Sequence, residues 1–243
     1  MTVNRRIEAL PQLLIGLVAL AVAILIGALA VASAVKAVKR SRDTITVTGS
    51  AKRPITANLV TWNLSISSAD GDPAAASREL VAKADKVRAF LKKAGLEAKE
   101  PPVATEETSE KQFGARVTIY QLTQDFDVTT KDIDKAEAAA SKVSTLFAQG
   151  IAVSAQPLQY VSTQLGQARI EALKQATADA KRRAQTLVEG LGGHLGAARR
   201  ADVGVFQITP RNSTDVSDYG INDTSSRDKD VTAVVTVTFG LSS

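Results

Sequence analysis

Residues 164–196 read QLGQARIEALKQATADAKRRAQTLVEGLGGHLG, and the fold turns on what that stretch can become. Leu173, Ala176, Ala180, Ala184, Leu187 and Leu191 recur three or four residues apart, a spacing that places them on one face of an α-helix. Asp179, Lys181, Arg182 and Arg183 fall largely on the opposite, outer side. Gly192-Gly193 stops the pattern, so the spacing predicts one helix from about Gln164 to Leu191. Aromatic residues make up only 4% of the 243-residue chain. The core must therefore be built from small and β-branched side chains.

On either side of this helix the period changes from 3.6 to 2. Upstream, Ile45 and Val47 alternate with Thr46 and Thr48 in a short strand that Gly49 is expected to end. After Pro54, Val60, Trp62, Leu64 and Ile66 point one way and Thr61, Asn63, Ser65 and Ser67 the other. A longer strand is predicted from about Arg116 to Thr129. Its apolar positions change parity near Tyr120, from Val117 and Ile119 to Leu122, Phe126 and Val128, and this calls for a bulge or bend. Ile151, Val153, Leu158 and Tyr160 suggest a strand interrupted by Pro157. Downstream, strands are expected near Ala201–Thr209 and at Val231–Phe239. Pro210–Asp230 between them reads as a mobile polar loop.

Two further helices are legible. Asp72-Pro73 supplies an N-cap and a first-turn proline, followed by an apolar stripe of Ala76, Leu80, Ala84, Val87 and Leu91 closed by Gly95. A second begins near Asp132 with Ile133, Ala136, Ala140, Val143 and Phe147 as its expected buried face. Pro101-Pro102 and the acidic residues Glu106, Glu107 and Glu110 read as an exposed connection. This order implies an α+β domain over residues 44–243, an antiparallel or mixed sheet with helices packed on one face.

The N-terminus has a different character. Leu13–Val35 is 23 residues without a charge, and only Ser33 is polar. A helix of that length rises about 34 Å, enough for a bilayer core of roughly 30 Å. The organisation expected is therefore a flank (1–12), a transmembrane helix or uncleaved signal anchor (13–35), a linker (36–43) and the α+β domain. Ala28-Leu29-Ala30 or Ala32-Ser33-Ala34 could serve a signal peptidase, although the apolar run exceeds an ordinary signal h-region. Leu13, Gly16, Ala19, Ala23, Gly27 and Val35 mark the span, and Ala19, Ala23 and Gly27 form a small-residue stripe. Arg5 and Arg6 flank it on one side, with Lys36, Lys39, Arg40 and Arg42 on the other. By the positive-inside count alone, the domain would stay in the cytoplasm.

Net charge is +5, with much of the excess beside the apolar run. The domain's own charges are mixed in sign, which disfavours a nucleic-acid reader. Cysteine is absent, removing disulfides, thiolate metal sites and cysteine nucleophiles. His194 is the only histidine and suits the negative end of the long helix. With no partner histidine, ordinary triads and most transition-metal sites have no basis. Glu106 with Glu107, and Asp125 with Asp127, are the carboxylate pairs that could serve a hydrolase, but each reads as solvated surface. Asp215, Asp218, Asn222 and Asp223 could collect a hard cation, yet they miss the calcium-loop spacing. Asn63, Asn212 and Asn222 begin glycosylation sequons, a frequent chance match. No catalytic, cofactor-binding or metal-binding residue is therefore expected.

Ile45-Thr46-Val47-Thr48-Gly49-Ser50 resembles the opening strand of the SIMPL-domain family. Ala168-Arg169, Ala176, Asp179-Ala180, Arg183-Ala184, Leu191-Gly192 and Leu195-Gly196 match that family's helix block, and Val231–Leu241 fits its last strand. The resemblance covers about residues 44–241. It departs before the second strand, where Pro54 is followed by Ile55 instead of the usual Asp. The resemblance implies a bacterial cell-envelope domain without known enzymatic activity or agreed catalytic residues. Relatives include ring- or channel-like homo-oligomers, and others are linked to oxidative-stress tolerance. It places the domain outside the cytoplasm, against the charge count. The function expected is a membrane-anchored, self-assembling envelope protein; the alternative is a module recruiting a ligand or partner through the 210–230 loop.

Overall fold

The computed structural model describes residues 16–29, 43–112 and 115–242. They form an α+β protein of two compact units. One holds the described residues up to Ser50, Ala176–Gly204 and the chain from Val235 onward; the other holds Ala51–Gln175 and Val205–Val234. Residues 16–29 are helical (α1).

The second unit is built on β2 (Leu59–Asp70) and β5 (Ala115–Thr130), antiparallel from Val60↔Thr130 to Asp70↔Tyr120. β3 (Ala98–Lys99) and β4 (Ala104–Gln112) pair with β5, while β6 (Val153–Ala155) and β7 (Gln159–Val161) pair with β2, completing a six-stranded sheet. The expected alternation of β2 holds: Val60, Trp62, Leu64 and Ile66 are buried. Helix α2 (Pro73–Lys93) is capped by Asp72, whose carboxylate accepts from Ala74 N at 3.0 Å. Its predicted stripe is buried in full, packing Leu80, Val87 and Leu91 against Trp62, Phe126 and Val128.

Three expectations fail in this unit. The stretch around Glu106 and Glu107 is a strand, β4, in unbroken register with β5 from Ala104↔Thr123 to Gln112↔Ala115. Cross-strand pairing here outweighs a composition that reads as loop. β5 itself passes Tyr120 without a register shift toward β2 or β4. The parity change therefore reflects which stretch of the strand lies over the core; Phe126 and Val128 are buried and Ile119 is only half-buried. The helix from Asp132 breaks into α3 (Ile133–Ala140) and α4 (Ser144–Ala148). Ser141 Oγ donates to Ala138 O and Thr145 Oγ1 to Lys142 O around the break. Such local bonds compete with the helix and reset its phase, so Ala139 and Leu146 are buried while Phe147 is 54% exposed.

In the same unit β9 (Gln207–Pro210) pairs antiparallel with the start of β11 (Asp228–Ser242) and parallel with β10 (Ile221–Asn222). In the first unit β8 (His194–Val203) runs antiparallel to the remainder of β11, with irregular register around Phe239. β1 (Thr44–Thr56) lies at the end of this five-stranded sheet, next to β11. Among the described residues there are thus two sheets where one was expected, because periodicity identifies strands but not their partners. β1 also runs past Gly49 and through Pro54. A proline is tolerated at an edge, where its missing N–H interrupts no ladder.

Helix α5 (Leu165–Gly190) corrects the opening reading. Its buried row is Ala168, Ala172, Ala176, Ala180, Ala184 and Val188; Leu187 and Leu191 are 52% and 83% exposed. Within the first unit the reason is Gly49. A Cβ there would overlap the Ala176 carbonyl and the Ala180 amide and lie 2.7 Å from Ala180 Cα. Strand and helix meet backbone to backbone, a contact that alanine permits and leucine would block. Asp179, expected on the outside, is buried beside this contact.

Candidate functional site

The late polar segment is not the loose loop its composition suggests. Lys229, only 2% exposed at the start of β11, places its ammonium 3.0 Å from Asp223 Oδ2 and also donates to the Asp223 carbonyl. The Asp223 carboxylate further accepts from Ser225 N and Ser225 Oγ. Burial opposes its charge, but the bonds from Ser225 and Lys229 hold the carboxyl at about 2. Asn212, in the left-handed region at φ 64°, donates its N–H to buried Asp230. Gln207 Nε2 donates to Ser217 O at 2.7 Å, and Asp223 N to Ile208 O at 2.9 Å. At the far end Arg227 pairs with Asp134 of α3 at 2.7 Å. Beside it Tyr160 donates to Glu137; burial and then this bond raise the phenol's pKa.

Gly220 makes the turn possible. Its φ is +82°, and a Cβ would come within 2.9 Å of Phe206 O. Just before it, Tyr219 is 98% exposed and Val216 is 81% exposed. A fixed backbone holding an aromatic and an aliphatic side chain in water is the arrangement expected of a protein-contact surface, since ordering costs are already met before binding. Polarity led the sequence reading to mobility and hid this. The Lys229–Asp223 pairing had no local signal, but Tyr219-Gly220 could have been flagged as an aromatic at a turn.

The other sequence candidates are dispersed. Asp215 bonds Ser213 and Asp223 bonds Lys229, so the proposed cation group is not assembled. Among the described residues no cluster of three or more His, Asp or Glu is placed to hold a metal ion. Glu106 and Glu107 are exposed on β4, on opposite faces of the strand. Asp125 and Asp127 share a face of β5, with Asp127 accepting from Asn63 Nδ2. His194 is exposed in β8 and does not extend the helix. Asp179 accepts from Ser50 N at 3.2 Å and pairs with Arg182 and with Arg183, the latter at 2.7 Å. The Ser50 bond, then the two arginines, lower its pKa. It joins the strand and helix motifs that were matched separately in sequence.

Gly16, Ala19, Ala23 and Gly27 lie on α1, exposed to their surroundings. Leu13, Val35 and the basic flanks Arg5, Arg6, Lys36, Lys39, Arg40 and Arg42 lie outside the described residues. Among the described residues no helix is long and apolar enough to cross a membrane.

Fold and site together define an α+β protein that presents a tethered, tyrosine-tipped loop. The chain matches the SIMPL family, described as "Protein of unknown function (DUF541)", over residues 45–239, and it belongs to that family. Comparison with curated proteins finds no match. Among solved structures, the regulatory subunit of aspartate kinase from Thermus thermophilus in its ligand-free form is similar over 80% of this chain and 88% of that one. The identity is 14% and the TM-score 0.21, a likeness too slight to carry fold or function.

Proposed function

We propose that this chain is a membrane-tethered, non-enzymatic envelope protein whose domain lies outside the cytoplasm and assembles with copies of itself. One observation carries the reading. Leu17, Val18, Leu20, Val22, Ile24, Leu25, Ile26 and Leu29 of α1 are each at least half exposed. They cover about two thirds of the helix circumference, and Gly16, Ala19, Ala23 and Gly27 fill the rest, so no face is polar. A helix apolar all round needs apolar surroundings, and the uncharged sequence continues from Leu13 to Val35, long enough to span a bilayer. For self-assembly the support is the edge of β4, nine residues paired only to β5 among the described strands. Such an edge is a template for another chain.

Because the chain has no cysteine, Ser242→Cys gives a single reporter. A membrane-impermeant maleimide should label it in intact spheroplasts, and carbonate washing should leave the protein in the pellet. Light scattering of the detergent-solubilised chain should give a multiple of the 25.6 kDa monomer. Labelling only after lysis would overturn the sidedness, and a strict monomer would overturn the assembly.

A second reading, a binding module acting through the 210–230 loop, is favoured by Tyr219 and Val216. Under it, Tyr219→Ser with Val216→Ser abolishes capture of a crosslinked partner and leaves the oligomer intact. Retained capture would refute it.

A further inference from the structure

We propose that the groove between α2 and the α3–α4 segment binds a single-chain anionic amphiphile, a phosphate or carboxylate head carrying an alkyl tail. It is a depression of about 610 Å³ within the second unit, between two lysine rails. On α2, Lys86 and Lys93 stand seven residues apart with Phe90 between them. On the opposite side Lys135 and Lys142 repeat the same spacing, with Ala138 and Ala139 between them. Seven helical residues advance about 10.5 Å along α2, and on the other side Lys135 lies on α3 and Lys142 in the turn that follows it, so each margin carries two ammonium groups with an apolar floor between the margins. Phe90 and Ala139 belong to the floor, packed on or within the hydrophobic core.

The charge is largely uncompensated. No carboxylate lines the groove. Lys135 is paired, with Asp132 at 2.7 Å. Lys86 donates to the Gln149 carbonyl at 3.3 Å and has no carboxylate within ion-pair distance among the described residues. Neither Lys93 nor Lys142 has a carboxylate within ion-pair distance among the described residues. The occupant must therefore be anionic where it meets the rails and apolar where it meets the floor. The volume suits a small molecule, within the roughly 300–1,000 Å³ of ligand pockets. A stable protein partner would need about 800 Å² on each side, more than a trough about 10 Å long provides. Lysine stems can also lie along an alkyl chain while their heads stay at the anion. The proposal stands independently of membrane tethering and self-assembly.

The test is lysine footprinting of the full-length chain in nanodiscs of neutral lipid, with an amine-acylating reagent and peptide mass spectrometry. Dodecyl phosphate at saturation should slow acylation of Lys93 and Lys142 about tenfold and leave exposed Lys99 and Lys181 unchanged. Raised salt should weaken the protection. Inorganic phosphate and the uncharged dodecyl maltoside should each protect neither lysine. Wild-type Lys86 and Lys135 should also be protected by dodecyl phosphate, and in a Lys93→Gln/Lys142→Gln variant, both surface positions, that protection should disappear. Equal protection by either control, uniform protection of all lysines, or protection in anionic-lipid nanodiscs without added ligand would overturn the proposal, the last by assigning the groove to the bilayer.

Discussion

Asp223→Asn removes the charge from the partly buried side of an ion pair and leaves Lys229, 2% exposed, without an anion. Breaking a buried pair from one side costs about 3–5 kcal/mol, because the remaining charge stays desolvated. The converse change, Lys229→Met, leaves a carboxylate that still accepts from Ser225 N and Oγ, so about 2 kcal/mol is expected. The two single changes should differ in that order. The double variant should cost less than their sum by roughly 1.5–3 kcal/mol. Urea unfolding followed by Trp62, the chain's single tryptophan and buried in the same unit, reads all four proteins.

Acid provides a second arm of this test. Asp223 is lowered from 3.8 to about 2, nearly two pH units at about 1.4 kcal/mol each. Partial access to solvent reduces this to roughly 1–2 kcal/mol. A carboxyl depressed in the folded state stabilises fully above its unfolded value, and that contribution is lost as pH falls toward the folded one. Wild type should therefore lose about 1–2 kcal/mol more than Asp223→Asn between about pH 4 and about pH 2. Strict additivity of the two substitutions, or equal acid sensitivity of the two proteins, would refute the assignment of the pair as the anchor of the loop.

Gly49→Ala should destabilise by more than about 3 kcal/mol, because its methyl meets helix backbone at Ala176 and Ala180 instead of a movable side chain; a midpoint in urea within error of wild type would show that the contact yields. Asp179→Asn should lower the thermal midpoint at neutral pH. Since Ser50 N–H and the two arginines depress the Asp179 carboxyl, the gap from wild type should narrow as pH falls below the ordinary aspartate range, and a constant gap would contradict that cause. Leu146→Ala should cost about 2–5 kcal/mol while Phe147→Ser costs under about 0.5 kcal/mol; the reverse ranking would restore the unbroken helix.

Much of the chain was legible because local signals and burial agreed. Asp72-Pro73 and the stripe from Ala76 to Leu91 specify α2 completely, and the alternation from Val60 to Ile66 specifies β2. Errors arose where a distant neighbour set the outcome. Phe147 and Leu187 fit their apolar patterns better than Leu146 and Val188, yet they are exposed; a break at Ser141 and a glycine more than a hundred residues upstream reset the phases. β4 was hidden by its glutamates because β5 supplies the pairing. The fastening of the late loop was hidden because one anchor, Gln207, lies outside it and the other, Lys229 near its far end, carries no local mark of its partner Asp223.

The sequence by itself determined the α+β class, the family, the boundaries of α2, the alternation of β2 and the apolar N-terminal run, since periodicity, caps and composition act over a few residues. Only the tertiary structure decided that there are two sheets, that Asp179 is buried against Ser50, that Tyr219 stands exposed on a fastened turn, and that four lysines border one groove. Those outcomes depend on contacts between residues far apart in the chain, and a charge or an alanine carries no local mark of the partner it will meet.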